Sequence, residues 1–185
     1  MRRIRVAVVV IVALGVAAIL AGQDSTQRLA ITVKDNVYEL NVPVSRLILT
    51  IPKGQLLAQK SSAGSDSPRY FMFEDKKNAL IVSGWFEPDQ SFKSIDAFWA
   101  SEQRSLTQNG LQLQNVTKEQ IGNWQVVLYD IGMSGGRSVN MRAEYVQAGT
   151  WIDLHLSVSE NPSKTDGQKV LRDTLNTFQV SEKKQ

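Results

Sequence analysis

The sequence predicts an α+β domain in which α-helices pack on an antiparallel β-sheet, preceded by an N-terminal signal segment. Two observations support this fold class. Several segments alternate apolar and polar residues with a period of two, which is typical of strands that bury one face. Two other segments have the helical period, and the order strands, helix, strands, helix is typical of α+β folds.

The N-terminus has the plan of a secretory leader. Arg2, Arg3 and Arg5 precede an apolar stretch that carries no charge before Asp24. A basic start, an apolar stretch and a small-residue end are the parts of a signal peptide, although an uncleaved anchor stays open. The predicted regions are a signal peptide or anchor (1–22), a polar lead-in (23–36), a single α+β domain (37–180) and a polar tail (181–185).

Charge and cysteine content restrict the partners. The chain has 21 Lys+Arg and 18 Asp+Glu, and three of the arginines lie in the leader, so the rest is electrically balanced. No net field attracts nucleic acid, and membrane contact is expected only through an uncleaved leader. The absence of cysteine excludes disulfides, thiolate nucleophiles and Cys-ligated metals. We therefore expect a periplasmic or secreted protein, anchored in the inner membrane if the leader is not cleaved.

The first half of the domain contains four predicted strands. "VYELNV" (37–42) alternates and places Tyr38, Leu40 and Val42 on one face, and "SRLILTIP" (45–52) follows it. "RYFMFE" and "ALIVSGWF" are rich in aromatic and β-branched residues, and the short "DKKN" between them predicts a hairpin.

A helix and four further strands follow. "SIDAFWASEQRSLTQNG" predicts a helix with Ser94 as its N-cap and Gly110 at its C-terminal end. The strand segments are "LQLQNVT", "WQVVLYDI", "SVNMRAEYVQ" and "WIDLHLSVS", and the last directs Asp153 and His155 away from the core. A closing helix is predicted near 164–178. The pattern leaves open whether both helices cover one sheet face or each covers its own.

The stretch "DIGMSGGRS" contains Gly132, Ser134 and Gly136 in the G-x-S-x-G spacing of serine hydrolases. That motif needs a strand, a sharp turn and then a helix, whereas "RSVNMRAEYVQ" after it has a period of two. The residues are therefore interpreted as a turn between strands. A small serine hydrolase that uses Ser134, His155 and Asp153 remains the alternative.

A polar strand face carries the other candidate residues. Trp151 shares this face with Asp153 and His155, which is typical of a binding surface and equally of a rim tryptophan covered by a helix. Asp153 and Glu144 could face each other across adjacent strands, as paired acids do in glycosidases. With one histidine, no calcium loop and no phosphate loop, the sequence predicts no metal site and no cofactor.

The order of elements is similar to that of the PsbP-like superfamily. The similarity covers about residues 37 to 180 and rests on "LTIPKG", "FMFEDKKNALIVSGWF", the "SIDAFWASEQRSL" helix, the three strands from Trp124 to Ser159 and the closing "GQKVLRDTLNTFQV". This superfamily includes an extrinsic subunit of photosystem II, a nuclear-transport factor that binds a Ran-type GTPase, and bacterial periplasmic lipoproteins. The resemblance implies an α/β/α sandwich and a binding or assembly role. It does not extend to a lipid anchor, because the chain lacks the cysteine that would carry one.

The expected function is that of an exported, non-enzymatic binding or assembly domain of the bacterial cell envelope. Its partner is expected to be another envelope protein, and the sequence leaves the oligomeric state open. A carrier of a small apolar ligand, held between sheet and helix, is a further alternative to the hydrolase.

Overall fold

The fold consists mainly of antiparallel strands. The computed structural model describes residues 29–43, 45–59, 69–133, 136–160 and 166–183. The strands are β1 (Ala30–Lys34), β2 (Val37–Asn41), β3 (Leu47–Pro52), β4 (Leu57–Ala58), β5 (Tyr70–Asp75), β6 (Leu80–Pro88), β7 (Leu113–Ile121), β8 (Trp124–Met133), β9 (Gly136–Gln147), β10 (Thr150–Glu160) and β11 (Gln179–Glu182). The helices are α1 (Ile95–Gln108), α2 (Gly167–Asn176) and a short 3-10 helix, Asp89–Ser91.

These strands form two sheets. Sheet I has four strands in the order β1-β2-β3-β11, and sheet II has seven in the order β4-β5-β6-β10-β9-β8-β7. Every pairing in both sheets is antiparallel. The antiparallel sheet predicted from residue alternation is therefore confirmed.

The main core lies between sheet I and one face of sheet II, here called the core face. Tyr38 and Leu40 of β2 pack there with Phe73 of β5, Leu154 of β10 and many other buried apolar side chains. Leu171 and Leu175 of α2 complete the same core. The opposite face of sheet II, here called the α1 face, carries a smaller cluster in which Trp99 and Leu106 of α1 pack on Val127 and Tyr129 of β8.

The predicted fold class, with the α/β/α sandwich that the PsbP-like resemblance implies, is wrong. The two helices do lie on opposite faces of sheet II, but sheet I forms much of the layer on the core face. The prediction failed because alternation shows which residues of a strand are buried and not which strands are hydrogen-bonded to one another. The β5–β6 hairpin pairs through β6 with β10, whereas β3 pairs with β2 and β11.

The local predictions for the helices are confirmed. The Ser94 side chain accepts a hydrogen bond from the Ala97 backbone N–H at 3.1 Å, as an N-cap does. Gly110 has a φ of +79° just after the last turn of α1, where glycine avoids the strain of the left-handed region. Helix α2 begins at Gly167 and ends at Asn176, inside the predicted range, and buries Leu171 and Leu175.

Three strands lie where the sequence predicted none: β1, the two-residue β4 and β11. Strand β1 lies in the polar lead-in and pairs with β2 through a turn in which Asp35 and Asn36 both have positive φ. That pair of φ angles is typical of a two-residue hairpin. Strand β11 pairs with β3 at the end of the domain. Because all five residues of β1 are exposed, its burial pattern has no alternation that a sequence could reveal.

Gly84 is needed for close packing on the core face. A Cβ built there would lie 2.8 Å from the Asp153 carbonyl oxygen, 2.8 Å from Leu154 Cδ2 and 2.9 Å from Phe71 Cε1. We expect Gly84→Ala to lower the free energy of unfolding by about 1–3 kcal/mol, because the backbone oxygen and the two buried side chains must shift. Urea denaturation measures the loss.

Gly132 supplies the matched control for this substitution. It also lies within a strand of sheet II, has no left-handed φ, and a Cβ built there meets nothing within 4 Å. Gly132→Ala is expected to change the free energy of unfolding by no more than about 0.5 kcal/mol. Equal losses from the two substitutions would contradict the packing argument.

Candidate functional site

The charged cluster on the α1 face consists of Arg142, Glu102, Glu144 and Asp153. Arg142 and Glu144 are two residues apart on β9, Asp153 lies on β10, and Glu102 reaches down from α1. One Arg142 Nη lies 2.7 Å from Asp153 Oδ2, and Arg142 Nε lies 3.8 Å from Glu102 Oε1. Because the side chains of this set are almost fully buried, the Arg142 guanidinium must compensate carboxylates that water hardly reaches.

Glu144 and Asp153 form a carboxyl pair. They are directly opposite in the β9–β10 register, and both residues are buried. Trp151 Nε1 donates a hydrogen bond of 2.6 Å to Glu144 Oε2. Glu144 Oε1 and Asp153 Oδ1 are buried without a hydrogen-bond partner among the described residues. The possibility that these two acids face each other across adjacent strands is therefore confirmed.

Burial changes the acidity of both carboxyl groups. It raises the pKa of Glu144 well above its ordinary value, and the neighbouring charge of Asp153 raises it further. Burial also raises the pKa of Asp153, to about 6, although the Arg142 guanidinium opposes the shift. The pair is thus placed to hold a proton near neutral pH, as two acids that share a site do.

Asp153 is buried, contrary to the prediction that it points into solvent. The exposed fraction of the residue is 8%, since α1 and the neighbouring strands cover it. His155, predicted on the same outward face, is half-buried, and its Nε2 lies 3.2 Å from Asn140 Oδ1. Burial and the Arg142 charge lower the pKa of His155, so the imidazole is neutral at neutral pH. A general base works best with a pKa near the working pH, and His155 lacks that property.

The strand register separates His155 from the G-x-S-x-G stretch. His155 is opposite Arg142, and β9 begins at Gly136, six residues earlier and about 20 Å away at the usual rise per residue. Ser134, the serine of the hydrolase alternative, lies outside the described residues.

The other parts of that motif are strand residues. Gly132 lies inside β8 opposite Arg137, and Met133 pairs with Gly136. A strand, not a helix, begins at Gly136, as the period of two predicted. Asp153 binds Arg142 and makes no described hydrogen bond to His155.

Trp151 is a rim residue of the cluster. Its ring lies 5.3 Å from that of Phe92 and 5.8 Å from that of Phe98, measured between centroids. The Phe98 ring in turn lies 5.1 Å from Arg142 Cζ. Trp151 is half-buried, and Phe98 of α1 lies over part of it. The interpretation as a rim tryptophan covered by a helix is therefore confirmed, whereas the binding surface at Trp151, Asp153 and His155 stays a prediction.

The part of the α1 face formed by β5 and β6 lies beyond α1, and we call it the open half. Tyr70 and Trp85 are opposite in the β5–β6 register, with ring centroids 4.4 Å apart. Both are half-buried, as are Met72 and Glu87 on the same face. Burial raises the pKa of Glu87, and the Arg69 charge opposes the shift.

Sequence reasoning missed Arg142 and Glu102 as members of the cluster, and Tyr70 and Trp85 as neighbours. One signal was present: β9 and β10 each carry charged or titratable residues two positions apart, and consecutive strands commonly pair. Nothing in the sequence pointed to Glu102, because its contact depends on how α1 lies on the sheet.

The described ranges contain neither a metal-binding cluster nor a membrane-spanning helix. No group of three or more His, Cys, Asp or Glu side chains is arranged to hold a metal ion. No helix there is long and apolar enough to cross a membrane. The predicted signal peptide or anchor at 1–22 lies outside the described residues.

Comparisons with known proteins give little further information. No family model matches the chain, and no curated protein matches it. A crystal structure from Bacteroides thetaiotaomicron VPI-5482 is similar, with 10% sequence identity and a TM-score of 0.43. The similarity covers 75% of this chain and 46% of the other, so this chain spans less than half of that structure. The PsbP-like resemblance remains a prediction.

Proposed function

We propose that this protein is an exported, non-enzymatic binding domain that contacts another protein of the bacterial envelope through the open half of the α1 face. The observation that carries the proposal is the side-by-side pair of half-exposed rings, Tyr70 and Trp85. Tyrosine and tryptophan are enriched in protein interfaces because they bury much area and can still hydrogen-bond. Export is supported by the leader-like residues 1–22.

The surroundings of the two rings suit an interface. Trp151 and His155 of the predicted binding surface border the open half, whereas Asp153 lies beneath it and holds Arg142. Strands β5, β6 and β10 are hydrogen-bonded side by side. On the core face beneath them, the Phe71 and Phe86 rings stack 5.6 Å apart. A preorganised platform loses little conformational entropy when a partner binds.

Site-specific photo-crosslinking in cells of the source organism tests the proposal. We expect a photoreactive amino acid in place of Trp85 to yield a discrete cross-linked product with one envelope protein. The matched control is the same amino acid in place of Val116, which is 40% exposed on β7 at the far edge of sheet II. With the captured partner purified, Trp85→Ala is expected to weaken binding about thirtyfold, the effect of an interface hot spot of about 2 kcal/mol.

Four outcomes would contradict the proposal. Equal cross-linked products from positions 85 and 116, or no product from either, would show that the partner does not bind at the open half. Labelling of the full chain by a fluorophosphonate probe, lost in Ser134→Ala, would show that the protein is a serine hydrolase. A copurified small apolar ligand in native mass spectrometry would favour the carrier.

A further inference from the structure

Helix α1 is attached to sheet II partly through the charged cluster. Trp99 packs on Tyr129, with ring centroids 5.0 Å apart, and this contact is apolar. Two further contacts of α1 are made with Arg142, which meets both Glu102 and the Phe98 ring. Arg142 also holds Asp153. Part of the attachment of α1 to sheet II is therefore electrostatic.

The cluster has too many acids for its single cation. Three carboxyl groups, of Glu102, Glu144 and Asp153, surround Arg142, and Glu144 has an exposed fraction of 0%. If all three were ionised, the buried set would carry an excess of negative charge, which is costly away from water. Since Glu144 lies opposite Asp153 and receives only a neutral donor from Trp151, a proton on Glu144 reduces this excess.

We propose that Glu144 and Asp153 share one proton while α1 is docked, and that loss of this proton at alkaline pH loosens α1 from sheet II. The helix then exposes Trp99 and the apolar surface of β8 on which it packs. This device is independent of the proposed binding function, because it rests on contacts within the chain.

Several other titratable groups face Glu144 and Asp153, and their charge states determine which group can titrate between about pH 5 and 9. Burial raises the pKa of Tyr129 on β8 and lowers that of His155 on β10, so both stay neutral between about pH 5 and 9. Arg142 on β9 stays cationic. Glu87 on β6 and Glu102 on α1 add negative charge that disfavours ionisation of the pair.

The sign of the effect follows from the raised pKa values. When α1 leaves, water reaches the pair and its pKa values fall toward their ordinary range near 4. A group whose pKa is higher in the docked state favours docking below the ordinary value and loses that contribution as pH rises through the raised value. Docking of α1 should therefore weaken as the pH rises through the raised pKa of Glu144, where the pair loses the proton that it shares.

Amide hydrogen exchange of residues 95–108 in the full chain, corrected for the intrinsic pH dependence, tests the device. We expect protection of α1 to fall about tenfold or more from pH 5.5 to pH 9, since each pKa unit changes the docking equilibrium tenfold. In Glu144→Gln the amide can donate to Asp153 and accept from Trp151, as the neutral acid does. This variant should keep its protection at both pH values.

A second variant and a control complete the test. Glu102→Gln removes the acid of α1 from the cluster and is expected to reduce the pH response. Asp96→Asn removes another acid of α1, which binds Lys118 at 2.5 Å on the exposed side, and should leave the response unchanged. Equal protection of the natural chain at both pH values would overturn the proposal. So would a full pH response in Glu144→Gln.

Discussion

Arg142→Met is expected to lower the free energy of unfolding by about 3–5 kcal/mol at pH 8, the usual cost of breaking a buried ion pair from one side. Methionine keeps much of the side-chain volume but leaves Glu102, Glu144 and Asp153 without their cation. Without it, the buried acids must take up protons. The loss should therefore be larger at pH 8 than at pH 5, since protonation removes the unpaired charges at low pH. Urea denaturation at the two pH values measures both effects.

Arg172→Met is the matched control for this substitution. Arg172 of α2 binds Glu119 of β7 at 2.7 Å, but both side chains are about one-third exposed. Partly exposed pairs contribute about 0–1 kcal/mol, so the control should lose no more than that. A loss in Arg142→Met as small as in the control, or one that does not depend on pH, would show that Arg142 does not hold the cluster together.

Phe73→Ala is the second substitution with a large expected effect, a loss of about 3–5 kcal/mol in the free energy of unfolding. Phe73 has an exposed fraction of 0% and joins the two sheets: its ring lies 4.4 Å from that of Tyr38 on β2 and 5.5 Å from that of Phe71 on β5. Removing the ring leaves a cavity between sheets that are each held by strand pairing and cannot close on it fully.

Ile31→Ala provides the comparison on sheet I. Ile31 lies on β1, directly opposite the buried Leu40, yet 39% of it is exposed. Its truncation should cost less than about 1 kcal/mol, because much of the side chain already contacts water. Similar losses from the two variants, measured by urea denaturation, would mean that the interior between the sheets does not supply most of the stability.

The outcome for Asp153 and Glu144 shows how far sequence reasoning reaches. Alternation along "SVNMRAEYVQ" and "WIDLHLSVS" placed both acids on the polar side of their strands, and the β9–β10 register confirms that they share a face. Alternation gives the side of a strand and not what covers that side. The prediction that Asp153 faces solvent was wrong because α1, with Phe98 and Glu102, lies over that side of the sheet.

Local chemistry in the sequence determined most of the elements: the antiparallel strands other than β1, β4 and β11, the capped helix at Ser94, the closing helix, and the strand that begins at Gly136 where a nucleophile elbow would need a helix. These follow from side-chain period, capping and turn propensity, which act within a few residues. Only the tertiary structure decided that the strands divide into two sheets and that one arginine and three acids meet beneath α1. The physical reason is that strand pairing and burial of charge are set by contacts between residues distant in the chain, and no local pattern encodes which of them meet.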